Sequence, residues 1–482
     1  MARVHSLHTL WLLGASLVLA ALLEAAPTPA APPAPPASSS PPATASVPAV
    51  TSTPEERLQV YHEFRQLFDA HNYKDALEPA QRLVTLTEAA TGPTDLSLAT
   101  PLLNLATTQY QVGTFDEAEK GYLRTIKLIE QHTGGFTKSL IPPLRGLGLT
   151  YLAAGEAESA IEPLRRAVDI TRKIDGLFSV AQLDLLDPLI RAYSQVNKLE
   201  DAEREEIYSY RVSENQYGKD SVEVTPALLK LAHWYTEAGR YTAARQYYGN
   251  VLAIVQKAAG HADVKMVPAL LGIAETYRLE FIYGPEQADD GNAVASNAPG
   301  GTLMQSGTPI GTVASGGSRL NATGEDALRT ALKLIESGPS PDPTLHARTL
   351  VALGDWLLLD GGDKESRDMY HRAWPFVQVL TPPANAAFAE PTQIYYRAPL
   401  TSQPARKAKA ENIVEGFVDV EFTVTTEGRV INARTSEKKA SDSQERAVLN
   451  AIKKARYRPR LERGEPVESP GIHLRQRVFS VK

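Results

Sequence analysis

The 482-residue chain contains no cysteine. That excludes disulfide frameworks, thiolate zinc sites, cysteine nucleophiles and lipid attachment through an N-terminal cysteine. Charge of one sign is also scarce. Fifty Lys and Arg stand against 56 Asp and Glu, and the net of −6 is too mild for a nucleic-acid-binding protein or a disordered acidic chain. Catalytic signatures are missing too: there is no G-x-S-x-G elbow, Walker loop, dinucleotide fingerprint or HExxH pair. The ten histidines are scattered. His62 and His71 are too far apart for a one-turn ligand pair, and His371, beside Tyr370 and Trp374, reads as a packed or surface helix residue. The sequence therefore predicts neither an enzyme nor a cofactor or metal.

What is present is enough apolar material for a core, 43% of residues, at a length that suggests about three domains. The N-terminus carries Arg3, an apolar run from Leu10 to Leu23 and the small residues Ala25 and Ala26. This is the grammar of an export signal over residues 1–26. As a helix the run spans about 21 Å, short of a hydrocarbon core of roughly 30 Å. Thr9 and the flanking alanines could lengthen it, so an uncleaved membrane anchor stays open beside a cleaved signal. Residues 27–54 hold ten prolines among Ala, Ser and Thr. They read as a semi-rigid polyproline-like linker.

From Glu55 onward the sequence repeats itself every 42 residues. Ala76, Ala118, Ala160, Ala202 and Ala244 form one ladder, and Gly92, Gly134, Gly176, Gly218 and Gly260 form a second with the same step of 42. Two ladders in one register mark a repeat protein. In the third unit Leu147, Gly148 and Tyr151 share one helical face, Gly155 opens a turn, and Ala160, Leu164 and Ala167 share the next helix. Small residues at Ala106, Gly148 and Ala232 on first helices, and the alanine ladder on second helices, let two backbones approach. The ladder glycines are expected to be left-handed caps of the second helices. Each unit is then a helix hairpin that needs its neighbours to bury its apolar face.

The small–Tyr–Gly–Ala order of these units resembles tetratricopeptide repeats, in the 42-residue variety of kinesin light chain, more than HEAT or armadillo repeats. The match is best from Gly92 to Glu130. The resemblance implies a mainly α fold, a right-handed α-solenoid of helix hairpins, over residues 55–283, about five and a half repeats. A sixth unit starts near Met266, is interrupted over 284–324, and resumes at 325–381 with Ala327 in the ladder position. A seventh keeps Leu353 and Gly354 but has Ser366 for the alanine. The interruption holds nine glycines and four charged residues, and reads as a flexible surface insertion. Asp289 and Asp290 fall in it, where nothing preorganises an acid–base pair. No strand precedes its glycines and no Gly-Lys-Ser/Thr follows them, so a phosphate loop is not expected.

Such solenoids bind peptides or partner proteins on a concave face lined by first helices. By register the resemblance implies partner-binding positions at Asn104, Thr107, Gln111 and Arg145, then at Asp187 and Arg191, then at Lys230 and His233. Prolines at the helix starts, Pro142, Pro188 and Pro226, are expected to reshape that groove.

After a presumed linker at 382–398 the periodicity changes. Val418, Val420, Phe422 and Val424 alternate as a strand, "TEGRV" turns into a second strand through Val430 and Ala433, and Ser441 with Gln444 forms a capping box ahead of a helix. Ala447, Val448, Ala451, Ile452 and Ala455 line that helix, and Ile472, Leu474, Val478 and Phe479 a last strand. The order β-β-α-β gives a small α+β domain over 399–482. This part resembles the TonB C-terminal domain at Pro404-Ala405, Gly416 with Val418, Phe422, Gly428 with Val430, Ala447 and Ala451, Tyr457-x-Pro459, and Gly464-x-Pro466-Val467. The family's Tyr-Pro pair near the start is here Gln403-Pro404. The resemblance implies a Gram-negative source, a periplasmic address and strand pairing with a partner's extended segment.

The 17 Lys and Arg and 11 Asp and Glu of residues 399–482 leave the rest of the chain at −12. Lys453, Lys454, Arg456 and Arg458, continuing to Arg460 and Arg463, make a basic stretch read as a solvated helix end or as a contact for an acidic partner. The expectation is a non-catalytic, exported adaptor in the periplasm. Its partners are envelope proteins or peptides, not nucleic acid, and it meets a membrane only if the N-terminal segment is uncleaved. The alternative is a TonB-class transport component that contacts outer-membrane transporters.

Overall fold

A computed structural model describes residues 53–284, 322–338, 342–381, 386–399 and 413–481. The export signal, almost all of the proline-rich linker, most of the 284–324 insertion and Gln403 to Ala405 lie outside the described residues.

Among the described residues, fourteen helices pair into hairpins: α1 Pro54–Asp69 with α2 Tyr73–Thr91, α3 Ala99–Val112 with α4 Phe115–Thr133, α5 Ile141–Ala154 with α6 Ala157–Asp175, and α7 Leu183–Gln195 with α8 Leu199–Tyr217. These are followed by α9 Thr225–Glu237 with α10 Tyr241–Ala259, α11 Val267–Tyr283 with α12 Ala322–Ser337, and α13 Pro343–Asp360 with α14 Asp363–Gln378. The five ladder alanines are fully buried, as a close crossing of two helices requires. First helices of neighbouring hairpins touch one another, α3 with α5, α5 with α7, α9 with α11 and α11 with α13. The fold is an α-solenoid. Among the described residues, no helix is long and apolar enough to cross a membrane.

Two backbone ladders hold the period. The ladder glycines all have positive φ, but only Gly260 is left-handed helical; Gly92, Gly134, Gly176 and Gly218 combine φ of 80 to 92° with ψ of 148 to 179°. The expected left-handed caps are thus corrected to an extended, positive-φ conformation that is essentially reserved for glycine. It turns the chain out of the second helix and into a short 3₁₀ turn that opens the next unit. A further ladder sits in the hairpin turns. His71, Gly113, Gly155, Asn197 and Gly239, each 42 apart, all have φ between 60 and 86°.

Three other expectations change. Pro142 and Pro226 are the second residues of α5 and α9, but Pro188 lies inside α7, where it removes one intrahelical bond instead of opening the helix. Helix α12 begins at Ala322 and contains Gly324, whose bare Cα lies against the Trp356 indole. The stretch 382–398, expected as a linker, contains packed chain: Phe388 and Ile394 are buried in one cluster with Trp356, Leu357 and Tyr370.

The C-terminal part has strands β1 Thr392–Tyr395, β2 Ile413–Val424 and β3 Val430–Lys439, helix α15 Asp442–Lys453, and strands β4 Arg456–Arg458, β5 Arg460–Glu462, β6 Glu465–Val467 and β7 Ser469–Val481. The main antiparallel sheet has order β3-β2-β7. Val418, Val420, Phe422 and Val424 of its central strand bury against Val448, Ile452 and Ala455. Ser441 and Gln444 form the expected capping box. Two short ladders were not expected: β1 pairs with β4, and β5 with β6.

Candidate functional site

The first-helix face carries a concavity of about 260 Å³ where α1, α3 and α5 meet. Phe64, Phe68, Leu103, Tyr110 and Leu149 provide apolar and aromatic wall, and Arg65, Asn104, Thr107, Gln111 and Arg145 the polar groups, Arg65 being paired with Asp69 on its own helix. The four sequence-predicted positions of units two and three therefore line one site. Its floor is Tyr122 from α4, whose ring reaches in because Gly146 on α5 leaves no side chain in its way. The Tyr122 hydroxyl donates to Thr107 Oγ1 at 3.2 Å, and Thr107 Oγ1 donates to the Leu103 carbonyl at 2.7 Å. Burial pushes the Tyr122 phenol up to about 12, so it stays neutral. Thr107 is committed to the floor. Arg145 and Gln111 are exposed, and Asn104 is half-buried.

Units four and five form a separate cluster. Lys230 on α9 pairs with Asp187 on α7 and lies 3.6 Å from Glu206 on α8. Glu206, which the sequence reading missed, is only 2% exposed. Burial raises its carboxyl above the ordinary range, and Lys230 partly opposes that. Register held the signal, since the position 42 residues earlier is apolar Leu164 and the one 42 later is Tyr248. His233 pairs along its own helix with Glu237 at 3.3 Å, which raises the imidazole value against its desolvation. Arg191 is exposed on α7.

The basic stretch divides. Lys453 and Lys454 are exposed at the end of α15. Arg456 is half-buried and donates to the Ala455 carbonyl at 3.1 Å. Arg458 departs from the expectation. It is not a free surface cation but half of a largely buried ion pair: Nε donates to Asp355 Oδ1 at 2.9 Å, Nη2 to Asp355 Oδ2 at 2.6 Å, and Nη1 to the Ala387 carbonyl at 3.0 Å. Burial disfavours the guanidinium charge, and the Asp355 carboxylate more than offsets it, so Arg458 is held above its ordinary value. The physical reason is that β4 runs against α13 and turns Arg458 inward. Asp355 lies 103 residues away in sequence.

Comparisons with known families agree with this division. The profile for the Gram-negative bacterial TonB protein C-terminal matches residues 405–475, and two tetratricopeptide-repeat profiles match residues 102–173 and 227–263. The chain carries tetratricopeptide repeats and a TonB-type C-terminal domain. No curated protein matches it. Among solved structures, a kinesin light chain from Podosopora anserina with nearly identical TPR-like repeats is 18% identical at a TM-score of 0.39, covering 43% of this chain and 98% of that one. BtubC (BKLC) from P. vanneervenii is 14% identical at a TM-score of 0.32, covering 70% of this chain and 94% of that one. The apo form of RapI is 12% identical at a TM-score of 0.37, covering 67% of this chain and 99% of that one.

Proposed function

We propose that this tetratricopeptide protein is an exported, non-catalytic adaptor of the periplasm, holding an extended partner segment in the α1–α3–α5 concavity and meeting a second partner through its TonB-type domain. The observation that carries the reading is the concavity itself. Aromatic and aliphatic walls beside Arg145, Asn104 and Gln111 suit a segment that presents an apolar side chain next to a carboxylate. The lining offers amides, two guanidinium groups and rings, and its one aliphatic hydroxyl, on Thr107, is already donating to the backbone. Such groups bind a ligand; they do not activate a nucleophile. Export rests on Arg3 and the apolar run Leu10 to Leu23.

A second reading, a TonB-class transport component, draws on the sheet order β3-β2-β7, which puts β3 and β7 at the edges. An edge strand can accept an extended segment from an outer-membrane transporter. Intact mass in fractionated cells separates the two. A soluble periplasmic species lacking about the first 25 residues supports the adaptor, since signal peptides of this kind are removed. A full-length species in the inner membrane supports the transport reading and removes the adaptor.

A further inference from the structure

The TonB-type domain is not tethered beside the solenoid; it is seated on it. Counting back six residues from the positive-φ turn of the hairpins that have one gives Arg65 before His71, Thr107 before Gly113, Leu149 before Gly155, Arg191 before Asn197, His233 before Gly239 and Asp355 before Gly361. Asp355 thus occupies, in the last hairpin, the first-helix position that lines the concavity upstream. Its carboxylate is fully engaged by the chain itself. Arg458 binds both oxygens, and the buried Tyr370 hydroxyl donates to Oδ1 at 2.8 Å. The Phe388 ring lies 5.8 Å from the Arg458 guanidinium and edge-on to Tyr370. One hairpin earlier, Arg278 of α11 donates to the Ile394 carbonyl at 3.1 Å, and the Phe281 ring meets that of Tyr395. A turn at Ala387–Glu390 followed by the short strand β1, with β4 beside it, packs against the last two first helices.

We propose that the last hairpin is an arginine receptor whose resident ligand is the chain's own Arg458, and that the TonB-type domain is latched there in cis and can leave without either part unfolding. Two features support release as a unit. The domain has its own core, from Val418 to Val478, separate from the cluster that contains Phe388, Ile394 and Leu461. The join is centred on a bidentate charge pair, which fixes one orientation and fails in an all-or-none way when either partner is lost. The chemistry read by the site is a guanidinium on a β-strand, with an aromatic face below it and a carboxylate in front. While the latch is closed, the groove beyond α9 is occupied, and an external ligand is confined to the earlier units. This inference is independent of what the α1–α3–α5 concavity binds.

The absence of cysteine makes the test direct. Spin labels on cysteines placed at the exposed Lys364 and Lys439 of the full chain report the distance between α14 and β3. The latch predicts one narrow distribution for the parent and a broad one for Arg458→Ala and Asp355→Asn. Hydrogen-exchange protection of α1 to α10 and of β2 and β7 should be unchanged in both variants. Ethylguanidinium, supplied in solution, should narrow the distribution of Arg458→Ala and leave that of Asp355→Asn broad. A narrow distribution in Arg458→Ala would overturn the proposal, because the remaining contacts, among them Arg429 with Asp363 and Arg278 with the Ile394 carbonyl, would then hold the domain. So would loss of protection across β2 and β7 in both variants, or a failure of ethylguanidinium to act on Arg458→Ala.

Discussion

Glu206 on α8 faces Lys230 on α9, and this pair stands where two other repeats place a tyrosine against a glycine. Tyr122 packs over Gly146 and Tyr248 over Gly272, in each case 24 residues apart, as Glu206 and Lys230 are. One repeat has exchanged a steric fit for a charge pair at the same crossing. Lys230→Ala leaves a buried carboxylate without its counter-charge and should lower stability by about 1–3 kcal/mol. Glu206→Leu restores the residue type of Leu164 and should stay within about 1 kcal/mol of the parent. Chemical denaturation of the two variants checks both.

The same pair sets a pH dependence. Burial raises the Glu206 carboxyl above its ordinary value of 4.5. A raised folded-state value means that the folded protein holds this proton more tightly than the unfolded chain does. The contribution is fully present below 4.5 and is lost as pH rises through the raised value. The deficit of Lys230→Ala should therefore shrink as pH is lowered from 7, and a constant deficit across that range would contradict the assignment.

The turn ladders predict opposite effects for two small substitutions. Gly134 has φ of 80° with ψ of 179°, and an added Cβ would meet nothing, so the cost of Gly134→Ala is purely conformational. It should be about 1–3 kcal/mol. Asn197 holds φ of 60° at a position where Gly113, Gly155 and Gly239 stand elsewhere. Asn197→Gly should stabilise by roughly 0.5–1 kcal/mol, since the left-handed conformation is less strained for glycine. Thermal melts of the two variants should move in opposite directions.

The alanine crossings carry a steric prediction. Ala160 is fully buried between the helices of its hairpin. Ala160→Leu should overpack that crossing and cost about 1–3 kcal/mol. An unchanged melting curve would contradict the register of the whole array.

How much of this was legible follows from how far apart the deciding residues lie. The alanine ladder was visible because one residue type recurs at each step, and the capping box because Ser441 and Gln444 are three apart. The turn ladder of His71, Gly113, Gly155, Asn197 and Gly239 was hidden: the backbone demand is constant while the residue changes. Only Gly155 stood out. Arg458 sits in a run of cations that resembles a solvated helix end, and nothing local reveals that its partner is Asp355. Strand β1 reads as linker in sequence because its pairing strand, β4, is more than sixty residues downstream. At the candidate site, Asn104, Thr107, Gln111 and Arg145 were found by register, but the aromatic wall from α1 was not. Phe64 and Phe68 lie on the first helix of the first unit, ahead of the first ladder alanine, and read alone they are an ordinary apolar stripe.

The central claim is that the α1–α3–α5 concavity holds a segment of a partner protein. Its most direct test is a photo-crosslinking amino acid placed at Gln111 of the full chain, in cells, with and without Arg145→Glu. The account predicts a discrete adduct that Arg145→Glu removes, because the substitution sets a carboxylate against a carboxylate, while the same probe at exposed Lys364 gives no such adduct. An adduct unaffected by Arg145→Glu, or none at Gln111, would contradict it.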